Sequence, residues 1–377
     1  MLNVFLAALA LAPQPVATEP AQDFYLPAGG SKLRSLVREA WESADDQAKD
    51  LSDHAKAVQS DKDEGKKYSA LAEKELKLSK DTAMLERLQK IGTALAATAN
   101  KGPVKATWGD KHFSQFDYTF KLVEDKDVNA FSLPGGYIYF NEGLIKFAES
   151  DDEIAGVVAH EIAHASLRHV ATLQKEQSKL SAIQLPLIIA AILSGNSETI
   201  GGVLTGTSLF GAAKQSGWSV RAEQAADFAG FQYMLKSDYD PTGMLTFMER
   251  LAREERSKPA IDWGIFRTHP PGRERADSLA RNMQEAGVPI RRSKVASSFR
   301  ATPKQVSPVQ VEVLFGGRHI ATLSGTDAVD RSTVVVERLN AFFDSMPELY
   351  DVSSGASGEV LGRNMTLLTI TSNDADG

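Results

Sequence analysis

The feature that most constrains this chain is the pentapeptide His160–His164, which reads His-Glu-Ile-Ala-His inside an apolar stretch. Apolar residues recur around it at the spacing of a buried helical face, which predicts one helix from Asp152 to about Leu173. Side chains four residues apart lie on one face of a helix, so both imidazoles can bind the same metal ion. Glu161 lies on the same turn, where a carboxylate can take a proton from water that zinc activates.

A catalytic zinc site needs a third protein ligand, and cysteine cannot supply it because the chain contains none. The candidate is Glu223, which lies on a predicted helix from Trp218 to Lys236, four residues before Asp227. One of these carboxylates can bind the metal while the other accepts the free N–H of a ligand histidine. An E-x-x-x-D pair taken alone is usually a solvated helical face, but the presence of an H-E-x-x-H helix favours the ligand interpretation.

His169 is the other histidine close to the motif, five residues after His164. On a continuous helix this spacing turns it about 140° away from the ligand face. We therefore predict a structural role for His169 rather than metal ligation.

Length and composition indicate how the chain is organised. Its 377 residues suit two domains or one large domain with an appendage, and its 42% hydrophobic residues permit a core of normal size. The net charge of −7 argues against a nucleic-acid-binding protein, which would need a basic face. We predict a helical segment over 23–80, a catalytic domain over 81–287, a linker over 288–307 and a small module over 308–377.

Two apolar segments each leave two interpretations open. Residues 1–22 resemble a secretory signal peptide, because an apolar run precedes small residues, and this predicts export to the periplasm. A buried or frayed terminus is the alternative, since no basic residue precedes the run. Residues 181–213 begin with an apolar stretch too short to span a bilayer, which favours a buried core helix. The alternative is a hydrophobic wall near the active site that makes peripheral contact with a membrane or an unfolded client.

Five blocks, in order along the chain, resemble the gluzincin metallopeptidase family of the CAAX prenyl endopeptidases, the HtpX heat-shock proteases and the BepA-like periplasmic chaperone-proteases. The blocks are a lead-in helix over Asp81–Ala97, a strand hairpin over Asn129–Ile138, the helix Glu153–His169, the pair Glu223 and Asp227, and Thr268–Pro271 with Arg275. The similarity extends over roughly residues 64–285 and leaves the C-terminal part outside it.

The resemblance implies a role for each matching position. His160, His164 and Glu223 would bind one Zn2+ per chain, Glu161 would act as general base and acid, and Asp227 would orient a ligand histidine. His269 would lie over the metal, either stabilising the oxyanion or latching the fourth position, and Arg275 would orient its loop. An extended substrate would add as a further strand along Tyr137–Phe140. The implied substrate contacts are Asn129, Ala130, Gly136, Tyr137, Ile138 and Tyr139.

The C-terminal residues 308–377 have strand patterns on either side of an amphipathic helical stretch over Thr326–Phe343. The pattern predicts a ββαββ module that resembles small modules of bacterial envelope proteins. It contains no catalytic cluster, so we expect it to contact an envelope protein partner or to position the substrate.

These patterns together predict an α+β protein with a mostly helical zincin domain, a small sheet and the C-terminal module. The expected function is zinc-dependent hydrolysis of peptide bonds in misfolded or envelope proteins. The alternative is a non-enzymatic periplasmic chaperone or scaffold that retains a latched zinc site. Glu161 favours the enzyme, because a site without catalysis does not need this carboxylate.

Overall fold

The computed structural model describes residues 31–176, 218–257, 273–347 and 349–375. The predicted signal peptide over 1–22, the apolar segment over 181–213 and His269 lie outside the described residues. The chain divides into two compact units, Met1–His54 and Ala55–Gly377. Among the helices described, none combines the length and the apolar character that crossing a bilayer requires.

Two helices precede the sheet, as the sequence predicts for this part of the chain. Helix α1 extends over Ser31–Glu75 and helix α2 over Thr82–Ala99. The Asp81 side chain accepts a hydrogen bond from the Met84 backbone N–H, which satisfies a donor at the start of α2. Asp81 is thus the N-cap of α2, at the first residue of the lead-in block Asp81–Ala97. Near its C-terminal end, α1 packs Tyr68 and Ala72 against the sheet.

The sheet that follows has three strands in the order β1-β3-β2, with β1 over Thr119–Val123, β2 over Ala130–Leu133 and β3 over Tyr137–Asn141. Strands β2 and β3 form the predicted antiparallel hairpin, joined by a Pro-Gly-Gly turn, and β1 pairs with β3 in parallel. The central strand is thus β3, not an edge strand. The prediction that a substrate adds along Tyr137–Phe140 is wrong, because both edges of this strand are already hydrogen-bonded.

The outer edges of this sheet differ from each other. Along β1, the Ser79 N–H donates to the Leu122 carbonyl and the Glu124 N–H donates to the Lys77 carbonyl, so residues 77–79 cover that edge. Strand β2 is the other edge, and it packs against the helix that carries the H-E-x-x-H motif.

Two short helices and the motif helix follow β3. Helix α3 extends over Glu142–Phe147, α4 over Asp151–Ser166 and α5 over His169–Glu176. The Ser150 side chain caps α4, and three acidic residues in the first turn suit its N-terminal dipole. The sequence predicts one helix to about Leu173, but the helix ends at Ser166 because Arg168 takes a left-handed conformation, with φ of 49°.

Three further helices follow, of which the first two pack against α4 and the third packs against those two. They are α6 over Trp218–Leu235, α7 over Thr242–Ser257 and α8 over Arg273–Glu285. The largest buried cluster joins α2, α4, α6 and the sheet, and this core holds the motif helix from several sides.

The predicted linker over 288–307 is ordered and packed instead. Helix α9 over Arg292–Val295 is followed by strand β4 over Ala301–Ser307, which belongs to the C-terminal module. The buried Arg292 binds the Glu249 carboxylate through two hydrogen bonds of 2.8 and 2.6 Å. The linker prediction is wrong because apolar periodicity gives no signal for a polar strand such as β4.

The described part of the C-terminal module contains two three-stranded antiparallel sheets, a long helix and a short final helix. The first sheet comprises β4, β5 over Gln310–Phe315 and β6 over Arg318–Ser324. Helix α10 over Ala328–Asp344 precedes the second sheet, and α11 over Ser372–Ala375 follows it. The second sheet comprises β7 over Val352–Ser354, β8 over Glu359–Gly362 and β9 over Met365–Thr369. The predicted α+β class is confirmed, with one more strand on each side of the helix than the ββαββ pattern.

Candidate metal centre

Three side chains from two helices converge in the core. On α4, His160 Nε2 lies 3.0 Å from His164 Nε2. On α6, the Glu223 carboxylate lies 3.4 Å from each of these nitrogens. All three side chains are largely buried, at 6%, 14% and 5% exposed. The structure thus brings together the three residues that the sequence proposes as metal ligands.

Small residues let α6 approach α4 closely enough to bring Glu223 to the histidines. Four alanines of α6 are buried at the contact, and Gly230 lies against the backbone next to His160. A Cβ at Gly230 would lie 3.1 Å from the backbone nitrogen of His160, which is closer than most Cβ contacts in real proteins. The buried alanines are Ala222, Ala225, Ala226 and Ala229.

The nitrogen of His160 that faces away from the cluster is bound by Asp227. Its Nδ1 lies 2.9 Å from Asp227 Oδ1, one helical turn after Glu223. Arg275 on α8 binds Asp227 through two hydrogen bonds of 2.7 Å and also lies 3.0 Å from Glu223. A single guanidinium therefore positions both carboxylates of α6.

Charges within this buried group shift its pKa values. Burial opposes ionisation of Asp227, but the Arg275 guanidinium outweighs burial and lowers the pKa of Asp227 to about 2. Burial likewise opposes protonation of His160, but hydrogen bonds to Asp227 and Glu223 raise the pKa of that histidine. For His164, burial prevails and lowers the pKa. The first histidine is thus bound tightly to carboxylates, and the second lies in a less anionic environment.

Glu161 lies beside His160 on α4 and is 1% exposed. Its charge helps to raise the pKa of Arg275, after the larger contributions of Asp227 and Glu223. The carboxylate is therefore part of the same buried electrostatic group as the ligand candidates. This location suits a group that exchanges protons at the centre.

His169 contacts the second ligand candidate, a contact that sequence reasoning missed. Its Nδ1 lies 2.9 Å from His164 Nδ1, and the side chain is buried. The helix break at Arg168 turns the chain back, so the 140° separation expected for a continuous helix does not apply. Burial lowers the pKa of His169 well below its usual value, which favours a neutral ring. The sequence signal for this contact is the basic dipeptide Arg168-His169, which begins four residues after His164.

The residues expected to contact substrate lie in and around the sheet. Ala130, Ile138 and Tyr139 are fully buried, and Asn129 is 7% exposed. The Tyr139 hydroxyl lies 2.8 Å from the Ser69 hydroxyl of α1, so this side chain stabilises the fold. Gly136 is buried in the turn with a φ of 90°, and Tyr137 is half-buried.

The donor set fits a divalent cation such as zinc. Tetrahedral zinc with bond lengths of about 2.0–2.1 Å places its ligand atoms about 3.3 Å apart, close to the separations in this cluster. If Glu161, Glu223 and Asp227 are ionised, their charges exceed that of Arg275 by two, which one divalent cation balances. Burying nitrogen and oxygen lone pairs that converge on one point costs free energy unless such a cation binds them.

Comparison with known proteins gives an independent result. A model of peptidase family M48 matches residues 87–283, just over half of the chain. The putative beta-barrel assembly-enhancing protease of Vibrio cholerae is 31% identical over 209 residues, which are 54% of this chain and 40% of that protein. Metalloprotease LoiP of Escherichia coli is 27% identical over 206 residues, 54% of this chain and 72% of that protein.

A mitochondrial relative shows how widely the similarity extends. Metalloendopeptidase OMA1 of Schizosaccharomyces pombe is 29% identical over 176 residues, 46% of this chain and 49% of that protein. This chain spans less than half the length of the first beta-barrel assembly-enhancing proteases it matches. The family match includes all the described side chains of the candidate centre, from His160 to Arg275. The chain therefore belongs to peptidase family M48.

Proposed function

We propose that this chain is a zinc-dependent endopeptidase that hydrolyses peptide bonds of misfolded or envelope proteins. The observation that carries the proposal is the convergence of His160, His164 and Glu223 within 3.0–3.4 Å, with Glu161 beside them. Membership of a peptidase family supports it, as do relatives named as metalloproteases.

In this proposal, each side chain of the centre has a defined task. His160, His164 and Glu223 hold the zinc ion, which supplies a Lewis acid for the scissile carbonyl and lowers the pKa of water. The Glu161 carboxylate takes a proton from the attacking water and returns it to the departing amide nitrogen. Asp227 holds the His160 ring in place, and Arg275 keeps Asp227 charged.

The β2 edge is our proposed site for the substrate backbone. The Asn141 N–H donates to the Asn129 carbonyl, so the alternation of an antiparallel pair turns the backbone groups of Ala130 and Ser132 away from β3. No backbone bond to these outward groups is found among the described residues. A peptide bound there would continue the sheet beside α4.

The remaining expectations are also proposals. We propose that His269 lies over the metal, as a latch or as an oxyanion donor, and that residues 1–22 direct export to the periplasm. Relatives named for beta-barrel assembly favour an envelope location and an envelope protein partner for residues 308–377. We retain peripheral membrane contact through 181–213 as a hypothesis.

A proteolysis assay with an unfolded protein tests the catalytic proposal. Purified full-length chain is incubated with casein, with and without a zinc chelator, and zinc is then restored. We expect cleavage that the chelator abolishes and zinc restores. The Glu161→Gln variant should lose about 10²–10⁴-fold in rate while it retains bound zinc, since the missing group moves protons.

A matched control removes a carboxylate elsewhere. Glu337 is exposed on α10, and the Glu337→Gln variant should cleave casein at the wild-type rate. Cleavage that survives both the chelator and Glu161→Gln would exclude a zinc peptidase. Zinc binding without any cleavage would favour the non-enzymatic chaperone or scaffold.

A further inference from the structure

The two ligand histidines are supported by chemically different partners. The outward nitrogen of His160 faces the Asp227 carboxylate at 2.9 Å. The outward nitrogen of His164 faces another imidazole instead, with His169 Nδ1 at the same distance of 2.9 Å. The two rings stand nearly perpendicular, at 84°, with their centroids 4.9 Å apart. Edge-on approach of two ring nitrogens in this geometry is that of a hydrogen bond.

The direction of this hydrogen bond follows from ligation. A histidine that gives its Nε2 lone pair to a metal carries its proton on Nδ1, so His164 must donate through Nδ1. His169 can accept only if its own Nδ1 has no proton, because two N–H groups would otherwise face each other. The ligating state of His164 therefore selects the tautomer of His169 that is protonated on Nε2.

The fold holds the His169 ring in the position this requires. The residue before it, Arg168, has a left-handed φ of 49° and binds Asp61 of α1 at 2.5 and 3.2 Å. The same guanidinium also lies 2.8 Å from Asp110. Three side chains thus fix the turn from which the His169 ring points back towards His164.

Two neighbours close the pocket around this ring. The indole of Trp108 lies 5.1 Å from the His169 ring, centroid to centroid. Gly109 has a φ of 101°, and a Cβ there would lie 2.8 Å from His169 Cδ2. Any larger residue at this position would displace the ring, so the glycine leaves room for the contact.

We propose that His169 is a positioning residue for zinc, which accepts the Nδ1 proton of His164 and so orients that ligand. The inference rests on the proposed zinc site and adds a residue that does not itself touch the metal. A neutral His169 ring orients His164 without adding a negative charge, whereas the partner of His160 is the Asp227 carboxylate. Arg168, Asp61 and Asp110 hold the turn that carries this ring.

Zinc affinity of two full-length variants tests the proposal. His169→Phe keeps a ring of similar shape without an acceptor, whereas His169→Asn loses the ring but places an acceptor oxygen near the Nδ1 position. Zinc affinity is measured by competition with a chromophoric chelator, and folding by circular dichroism and thermal unfolding. We expect about 10–100-fold weaker zinc binding for His169→Phe, and binding closer to wild type for His169→Asn.

A second readout reports ligand orientation rather than affinity. With cobalt(II) in place of zinc, the visible absorption spectrum of His169→Phe should shift, while His169→Asn should keep the wild-type bands. His319 is exposed in the C-terminal module, and His319→Phe is the matched control that should change neither readout.

Three outcomes would overturn the inference. They are unchanged zinc affinity in a folded His169→Phe, equal losses in the two variants, and a cobalt spectrum that no variant alters. If His169→Phe does not fold, His169→Asn alone decides, and binding more than about 100-fold weaker than wild type would contradict the role. A wild-type chain that binds no zinc would refute the proposed function itself, which is a distinguishable failure.

Discussion

Two arginine–aspartate pairs with similar geometry serve different ends in this molecule. In the candidate metal centre, Arg275 binds Asp227 at 2.7 Å through two nitrogens. In the C-terminal module, Arg331 binds Asp374 at 2.5 and 3.2 Å. Both aspartates are almost completely buried, with side chains 6% and 1% exposed. The pairs differ in what else the aspartates hold.

The other partners of Asp374 are structural. It accepts hydrogen bonds from the Ser324 and Thr371 backbone N–H groups, which fastens the last described segment to β6. Asp227 instead holds His160, and Arg275 extends to Glu223, so this pair arranges lone pairs that converge on one point. A buried ion pair alone therefore does not indicate a functional site. The groups it orients decide whether it closes a fold or builds a binding centre.

The largest expected effect comes from the third ligand candidate. Glu223→Gln should reduce peptidase activity at least about 10³-fold, because the substitution removes an anionic metal ligand. The fold should survive, since the amide has nearly the same volume. Casein cleavage, zinc content and circular dichroism check this. The control is Gln224→Ala, an exposed neighbour on the same helix, which should leave all three unchanged. Full activity in Glu223→Gln would contradict the functional role given to the metal centre in this comparison.

The second prediction concerns the ion pair of the module. Asp374→Ala should lower the free energy of unfolding of the module by about 3 kcal/mol, because it removes the buried carboxylate that accepts hydrogen bonds from Arg331 and two backbone N–H groups. Chemical denaturation measures this change. Cleavage of a short peptide should stay at the wild-type rate, and exposed Asn373→Ala should be silent in both assays. A loss of peptide cleavage without a loss of stability would show that this pair also serves catalysis.

The third prediction concerns how the free energy of unfolding depends on pH through Asp227. The folded pKa of Asp227 is about 2 and its ordinary value is 3.8, so the unfolded chain takes up the proton first as the pH falls. The stabilisation is complete above about pH 5 and is lost as the pH falls towards about 2, a loss of about 2 kcal/mol. Unfolding free energies of wild type and Asp227→Asn, measured from about pH 6 down to about pH 2, test it.

The variant has no carboxylate at this position, so its stability should fall less steeply in that pH range. Parallel curves for the two proteins would contradict the depressed pKa of Asp227. Arg331 and backbone hydrogen bonds also hold the pKa of Asp374 well below its usual range, against the effect of burial. Asp374→Asn should therefore change the acid dependence in the same direction.

The smallest effect is expected for an exposed pair. Lys304 and Glu312 lie 2.9 Å apart across β4 and β5, but the lysine side chain is 62% exposed. Lys304→Ala should leave the unfolding midpoint within experimental error, because solvent screens such a pair. A clear loss of stability would mean that burial does not separate the strong pairs from the weak ones in this protein.

Local rules explain which predictions from the sequence succeeded. The helix that begins after Asp81, the hairpin around Pro134–Gly136 and the helix of the motif depend on contacts within a few residues, which spacing and residue type reveal. The predicted linker failed, because β4 alternates too weakly to mark a strand until β5 pairs with it. The prediction of a free edge along β3 also failed, because the pattern of a hairpin does not reveal which of its two strands a third strand will join.

Residue types and their spacing define the chemistry available to this protein: two histidines one turn apart, a glutamate between them, two acids one turn apart and no thiol. The partners that support these groups depend on how the helices pack together. The break at Arg168 returned His169 to His164, and α8 brought Arg275 to two carboxylates of another helix. The physical reason is that backbone periodicity sets the face on which a side chain lies, whereas its partner depends on contacts between residues distant in sequence.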